Sequence, residues 1–129
     1  MKFSNILFII ICLLCITSCA TTKRSRVRFH SLSVEMFEKC IKQEDVLLVD
    51  VRTPEEHQAG AIEGTDINLN VRSATFFTDF KSLPNDKTIA LYCKGGGRSK
   101  QVAGVLAGNG YKVIELAVGY DGWVKHHQK

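Results

Sequence analysis

The sequence contains no internal repeat, no low-complexity tract and no apolar run long enough to cross a bilayer. The first two absences exclude repeat architectures and disordered low-complexity classes. The run from Ile6 to Ile16 has 11 residues, about half of the roughly 20 that a spanning helix requires. The excess of positive over negative charge is also small, 17 Lys and Arg against 13 Asp and Glu. A formal net charge of +4 over 129 residues does not mark a nucleic-acid partner, because duplex binders concentrate basic residues on one face. Metal-ligand spacing is missing as well. Cys93 has no nearby cysteine partner, and His30, His57, His126 and His127 show no ligand spacing beyond one adjacent pair, so no metal is expected. A Walker-type phosphate loop would carry lysine and a hydroxyl after its last glycine, whereas Gly97 is followed by Arg98 and Ser99.

What is present is ordinary globular composition, 45% hydrophobic and 23% charged, at a length that suits one domain. The N-terminus reads as a processing segment and is set aside from fold reasoning. Lys2 precedes the short apolar run, which ends in Thr17, Ser18 and Cys19. The stretch "ITSC" (16–19) resembles the lipobox of bacterial lipoproteins. That resemblance implies removal of residues 1–18, lipidation of Cys19, and a protein anchored in the bacterial cell envelope, facing the periplasm. Several acyl chains on one residue anchor stably where a single chain does not. Residues 20–28, "ATTKRSRVR", form a basic linker between Cys19 and a domain at 29–129. Cys12 and Cys15 would leave with the signal, so Cys40 and Cys93 remain as free thiols. Cys40, placed with Met36, Phe37 and Ile41 on one helical face, is expected to be buried and inert.

The domain alternates strand-like and helix-like stretches. Ser33 caps a helix at 34–42, and "VLLVDV" (46–51) reads as a buried parallel strand. "TPEEHQA" (53–59) carries the marks of a short helix, with Thr53 as cap, Pro54 at its first position and Gly60 ending it. A weak strand at 66–70 and a short helix at 74–83 follow. "TIALYC" (88–93) is a second buried strand, 99–110 a helix, 112–116 a third strand, and 121–127 a last helical segment. Strands separated by helices imply an α/β fold: a mostly parallel sheet with helices on both faces, three layers in all. Ligands in such sheets bind beyond the carboxyl ends of strands, where Cys93 falls.

The stretch "CKGGGRSK" (93–100) then becomes the candidate site. Gly95, Gly96 and Gly97 can reach positive φ and turn successive amides inward, forming an anion nest ahead of a helix N-terminus. Lys94 and Arg98 add cations. Each of these favours thiolate over thiol at Cys93. His57 reads as a surface residue on a short helix, and its position in the sequence does not bring it to the cysteine.

These residues resemble the rhodanese domain of sulfurtransferases over nearly all of 29–124. "DVRTPEEHQAGAIEGTDIN" (50–68) is similar to that family's first signature, "CKGGGRS" (93–99) to its active-site loop and "LAVGYDGW" (116–123) to its closing signature. Ala61, Thr65 and Val118 depart from the residues usual there. The resemblance implies a ping-pong sulfur transfer. Cys93 would take a sulfane sulfur from a small anionic donor such as thiosulfate, and a thiol or cyanide would remove it, with no metal or organic cofactor. It places Lys94, Gly95, Gly96, Gly97, Arg98 and Ser99 around the donor, with Asp50 and Arg52 supporting the loop from the end of the 46–51 strand. Two alternatives remain at this point: a persulfide carrier or redox partner-binding module of the same fold, and a cysteine phosphatase. The second is disfavoured because four residues separate Cys93 from Arg98, where phosphatases of this kind carry five.

Overall fold

The computed structural model describes residues 28–129. The expectations of a signal segment at 1–18, a lipidated Cys19 and a basic linker fall on residues 1–27, which lie outside the described residues. Five parallel strands form one sheet: β1 (His30–Leu32), β2 (Val46–Asp50), β3 (Ile67–Asn68), β4 (Thr88–Tyr92) and β5 (Lys112–Leu116), in the spatial order β1-β5-β4-β2-β3. The helices are α1 (Val34–Ile41), α2 (Pro54–Ala59), α3 (Phe76–Asp79, continued by a 3-10 turn at Phe80–Ser82), α4 (Gly97–Gly108) and α5 (Gly119–His127).

The three central strands are aliphatic runs because both of their faces are covered. On one face Val49, Ile89, Leu91 and Val113 pack against Val102, Ala103 and Leu106 of α4, with Phe76 and Phe80 alongside. On the other, Leu48, Ala90, Tyr92 and Leu116 meet Val34 and Phe37 of α1 and the partly buried Trp123 of α5. Each fully buried side chain of this size contributes roughly 1.5–3 kcal/mol, so the two layers hold the strand ends in fixed relation. That relation creates the site: the register Asp50↔Tyr92 sets the carboxyl ends of β2 and β4 side by side.

Several sequence expectations need correction. The sequence pattern does not indicate β1. It is a three-residue edge strand on β5 whose side chains are largely exposed, so it carries no hydrophobic run to reveal it. Helix α4 begins at Gly97 rather than at 99, which draws Gly97, Arg98 and Ser99 into its first turn. Gly60 follows α2 in extended conformation, φ 160°, not in a left-handed cap. Its small size answers a different need, since a Cβ there would meet the Tyr120 hydroxyl at 2.6 Å. Cys40 is half-buried rather than buried. Val34 and Phe37 face the sheet, and Met36 beside them is 51% exposed, so the apolar stripe is narrower than its sequence spacing implies.

Candidate active site

Cys93 is the first residue past β4 and is 1% exposed. The Gly96 amide donates to its Sγ at 3.1 Å. Gly96 is the turning point: its φ is 97°, and a Cβ would run into the Ala117 carbonyl. Of the three successive glycines it alone adopts positive φ. The expected convergence of several amides on the sulfur is therefore one direct N–H bond plus the N-terminus of α4. The opening amides of any helix lack intrahelical partners and face outward along its axis as donors.

The loop is tied down from the opposite side by the start of α5. Tyr120 N–H donates to the Cys93 carbonyl at 2.8 Å, and Asp121 N–H to the Lys94 carbonyl at 3.0 Å. Gly119 makes this approach feasible, with φ 62° and no room for a Cβ against Lys94. Val118, where a glycine is usual, needs no special conformation at φ −98°, and its side chain is 47% exposed beside the loop.

Both cations of the loop are already paired. Arg98 makes two bonds of 2.7 Å to Glu56, one from each terminal nitrogen to a separate carboxylate oxygen. Glu56 also completes a capping box with Thr53 at the head of α2. The Arg98 hydrogen bonds, opposed by a smaller burial effect, hold the Glu56 carboxyl down at about 2 from the ordinary 4.5. Lys94 pairs at the exposed surface with Asp121 at 3.0 Å. The two cations expected around a donor, Lys94 and Arg98, each carry a carboxylate partner, and the two ion pairs frame the loop.

Asp50 and Arg52 form a buried ion pair at the end of β2. Arg52 Nη2 lies 2.7 Å from Asp50 Oδ2 and also donates to the Gly60 carbonyl at 2.6 Å. The Arg52 guanidinium stacks over the rings of Tyr120 and Tyr92, at 4.4 and 5.4 Å from their centres. Burial pushes the Asp50 carboxyl up, but hydrogen bonds from Arg52 and His57 outweigh it and hold the group below its ordinary value. His57 is accordingly not a free surface residue: its Nδ1 lies 2.9 Å from Asp50 Oδ2, because α2 folds back over the end of β2. A cavity of about 240 Å³ opens between these groups and the loop, lined by Arg52, Glu56, Gly60, Lys94, Tyr120 and Asp121. A larger one of about 430 Å³ lies by β3 and Pro54, away from the cysteine loop. Among the described residues no group of His, Cys, Asp and Glu is gathered as a metal site would be.

Sequence reasoning missed Glu115. It is an acidic residue next to the carboxyl end of β5, wholly buried, and it accepts a hydrogen bond from Ser99 at 3.1 Å. Ser99 in turn lies 3.4 Å from Cys93 Sγ. The available signal was the charged residue interrupting the apolar strand "KVIEL", which ordinary strand patterning reads as a solvent-facing position.

A parallel α/β sheet with a cysteine at a central strand end, wrapped by a glycine turn into a helix N-terminus, defines a class of thiol-based α/β proteins. The rhodanese-like domain matches residues 33–126, and the chain belongs to that family. Among similar proteins, a sulfurtransferase of Allochromatium vinosum is 33% identical over 95 residues, covering 73% of this chain and 86% of the relative. The thiosulfate sulfurtransferase GlpE of Pseudoalteromonas translucida is 28% identical over 96 residues, covering 74% and 89%. The tRNA uridine(34) hydroxylase of Wigglesworthia glossinidia brevipalpis is 30% identical, but the chain spans only 30% of its length. A rhodanese-related protein from Thermoplasma volcanium superposes with a TM-score of 0.68 at 26% identity, covering 76% of this chain and 93% of that one.

Proposed function

We propose that this protein is a sulfurtransferase working through a Cys93 persulfide, with a small thiosulfate-like anion as donor and a thiol or cyanide as acceptor. The observation that carries the reading is the Gly96 amide on Cys93 Sγ at 3.1 Å, at the mouth of the α4 N-terminus. A donor and helix terminus aimed at one sulfur stabilise negative charge there, first on the thiolate and then on the terminal sulfur of the persulfide. The thiolate attacks the outer sulfur of the donor. The donor's S–S bond breaks, its electron pair leaves with sulfite, and the new S–S bond remains on Cys93. An acceptor nucleophile then takes the outer sulfur and returns the thiolate. Two relatives of similar length, named as sulfurtransferases, support this reaction class.

The pairing of Arg98 with Glu56 and of Lys94 with Asp121 favours a second reading, a persulfide carrier loaded by a partner rather than by a free dianion. Steady-state thiocyanate formation from thiosulfate and cyanide separates the two. The enzyme gives parallel double-reciprocal lines that vanish in Cys93→Ser. A carrier gives no thiocyanate until a persulfide-bearing partner is added, and aryl phosphate hydrolysis without thiocyanate would point to phosphatase chemistry instead.

The same proposal places the domain in a bacterial cell envelope, tethered through lipid on Cys19 after loss of residues 1–18. The short apolar run closed by "ITSC" supports it. Expression with a labelled fatty acid tests it: label is incorporated by the full chain and lost in Cys19→Ala.

A further inference from the structure

A carboxylate buried in an apolar layer is costly unless it is paired, and it is often replaceable by a hydrocarbon side chain at no loss of stability. Glu115 is wholly buried on the β5 face that Val113 shares, within the layer between the sheet and α4. Among the described residues no Lys, Arg or His lies in ion-pair range of it. Its partners are two hydroxyls. Ser31, opposite it on β1, donates to Oε1, and Ser99 donates to Oε2 at 3.1 Å. A hydroxyl both donates and accepts, so these partners can satisfy the carboxyl group whether or not it carries a proton.

Ser99 connects this group to the thiol. Its Oγ is 3.4 Å from Cys93 Sγ and 3.1 Å from the Gly96 carbonyl, and it is itself fully buried. The hydroxyl therefore has two places to direct its hydrogen, Glu115 Oε2 or Gly96 O. We propose that Glu115 is a positioning residue that holds the proton given up by Cys93, passed through the Ser99 hydroxyl. The proposal rests on the sulfur-transfer reading for its purpose. In the forward step the Cys93 S–H bond breaks, its electron pair stays on sulfur and the proton moves to Ser99 Oγ. The proton already on Ser99 moves to Glu115 Oε2, and the Ser99 hydroxyl is re-formed. The charge of the three groups stays at one negative overall, so a buried site gains no net charge as the nucleophile forms. After the acceptor has taken the outer sulfur, the same path returns the proton.

The test uses the full chain and the Glu115→Gln and Ser99→Ala variants. Iodoacetamide alkylation of Cys93 at neutral pH is followed by mass, beside the rate of sulfur loading from thiosulfate. Alkylation is expected to slow by on the order of 100-fold in both variants, with sulfur loading falling in proportion. The sign is decisive for Glu115→Gln. If Glu115 acted only as a buried negative charge, its neutralisation would ease thiol ionisation, so alkylation at or above the wild-type rate overturns the proposal. Should far-UV circular dichroism show Glu115→Gln unfolded, Ser99→Ala decides alone: the same slowing supports the relay, and an unchanged rate overturns it. Wild-type protein that alkylates normally but takes no sulfur would overturn the transferase reading, while the alkylation comparison still reads the relay.

Discussion

Replacing Glu56 by glutamine removes one charge from the clamp that closes the cysteine loop while keeping an acceptor for the Thr53 amide. In the native protein Glu56 binds Arg98 through two 2.7 Å bonds, joining the head of α2 to the first turn of α4. The depression of its carboxyl from 4.5 to about 2 sets a ceiling of about 3 kcal/mol on the pair's contribution. Screening lowers that figure, because the two side chains keep 22% and 27% of their exposure. A bidentate, half-buried pair lies between surface and buried ion pairs, so about 1–2 kcal/mol is expected. For a domain of this size that corresponds to a melting temperature lower by roughly 5–10 °C at pH 7. The pH dependence carries a second signature. A depressed carboxyl stabilises the fold above its ordinary pKa and loses that contribution as pH falls towards the folded value. The wild-type protein should therefore lose this increment between about pH 4.5 and 2, and the variant should lack it. Melting curves at pH 7, 4.5 and 3 measure both effects. A variant that melts with the wild type at pH 7 refutes the clamp, and so does an unchanged wild-type-minus-variant gap down to pH 3.

Two further outcomes follow from the same geometry. Asp50→Asn leaves the Arg52 guanidinium buried without its counter-ion and should cost about 3–5 kcal/mol. In the wild type the Asp50 contribution is present above the ordinary carboxylate range and fades as pH falls below it, since its carboxyl is held low; urea unfolding at pH 7 and in acid checks both. Gly96→Ala demands positive φ of an alanine and drives its Cβ into the Ala117 carbonyl. It should destabilise by about 1–3 kcal/mol and abolish sulfur loading, and wild-type behaviour in both assays would show that the turn is not as described.

Much of the fold could be read before the structure, and the reason lies in burial. "VLLVD", "TIALY" and "KVIEL" are strands flanked by helices, and aliphatic runs of that length suit a buried parallel sheet. The head of α2 was equally legible, since Thr53 and Pro54 act through local chemistry alone, and the cap forms as expected. What escaped depends on contacts distant in sequence. β1 is held by β5 across more than eighty residues and has no periodicity of its own. His57 reads as exposed until α2 is seen to fold over Asp50. In the loop, the order Cys93, Gly96, Arg98 points to the thiol and the turn. It is silent on the carboxylates, because Glu56, Asp121 and Glu115 arrive from three other elements. Local patterning thus locates the sulfur, while the charge around it belongs to the tertiary fold.

The central claim is that Cys93 takes up and passes on one sulfur atom. Intact-mass measurement after incubation with thiosulfate, followed by cyanide, tests it most directly. The account predicts a gain of one sulfur, located at Cys93, absent in Cys93→Ser and discharged by cyanide as thiocyanate. A wild-type chain whose mass stays unchanged with thiosulfate and with a low-molecular-weight persulfide, while Cys93 remains open to alkylation, would contradict it.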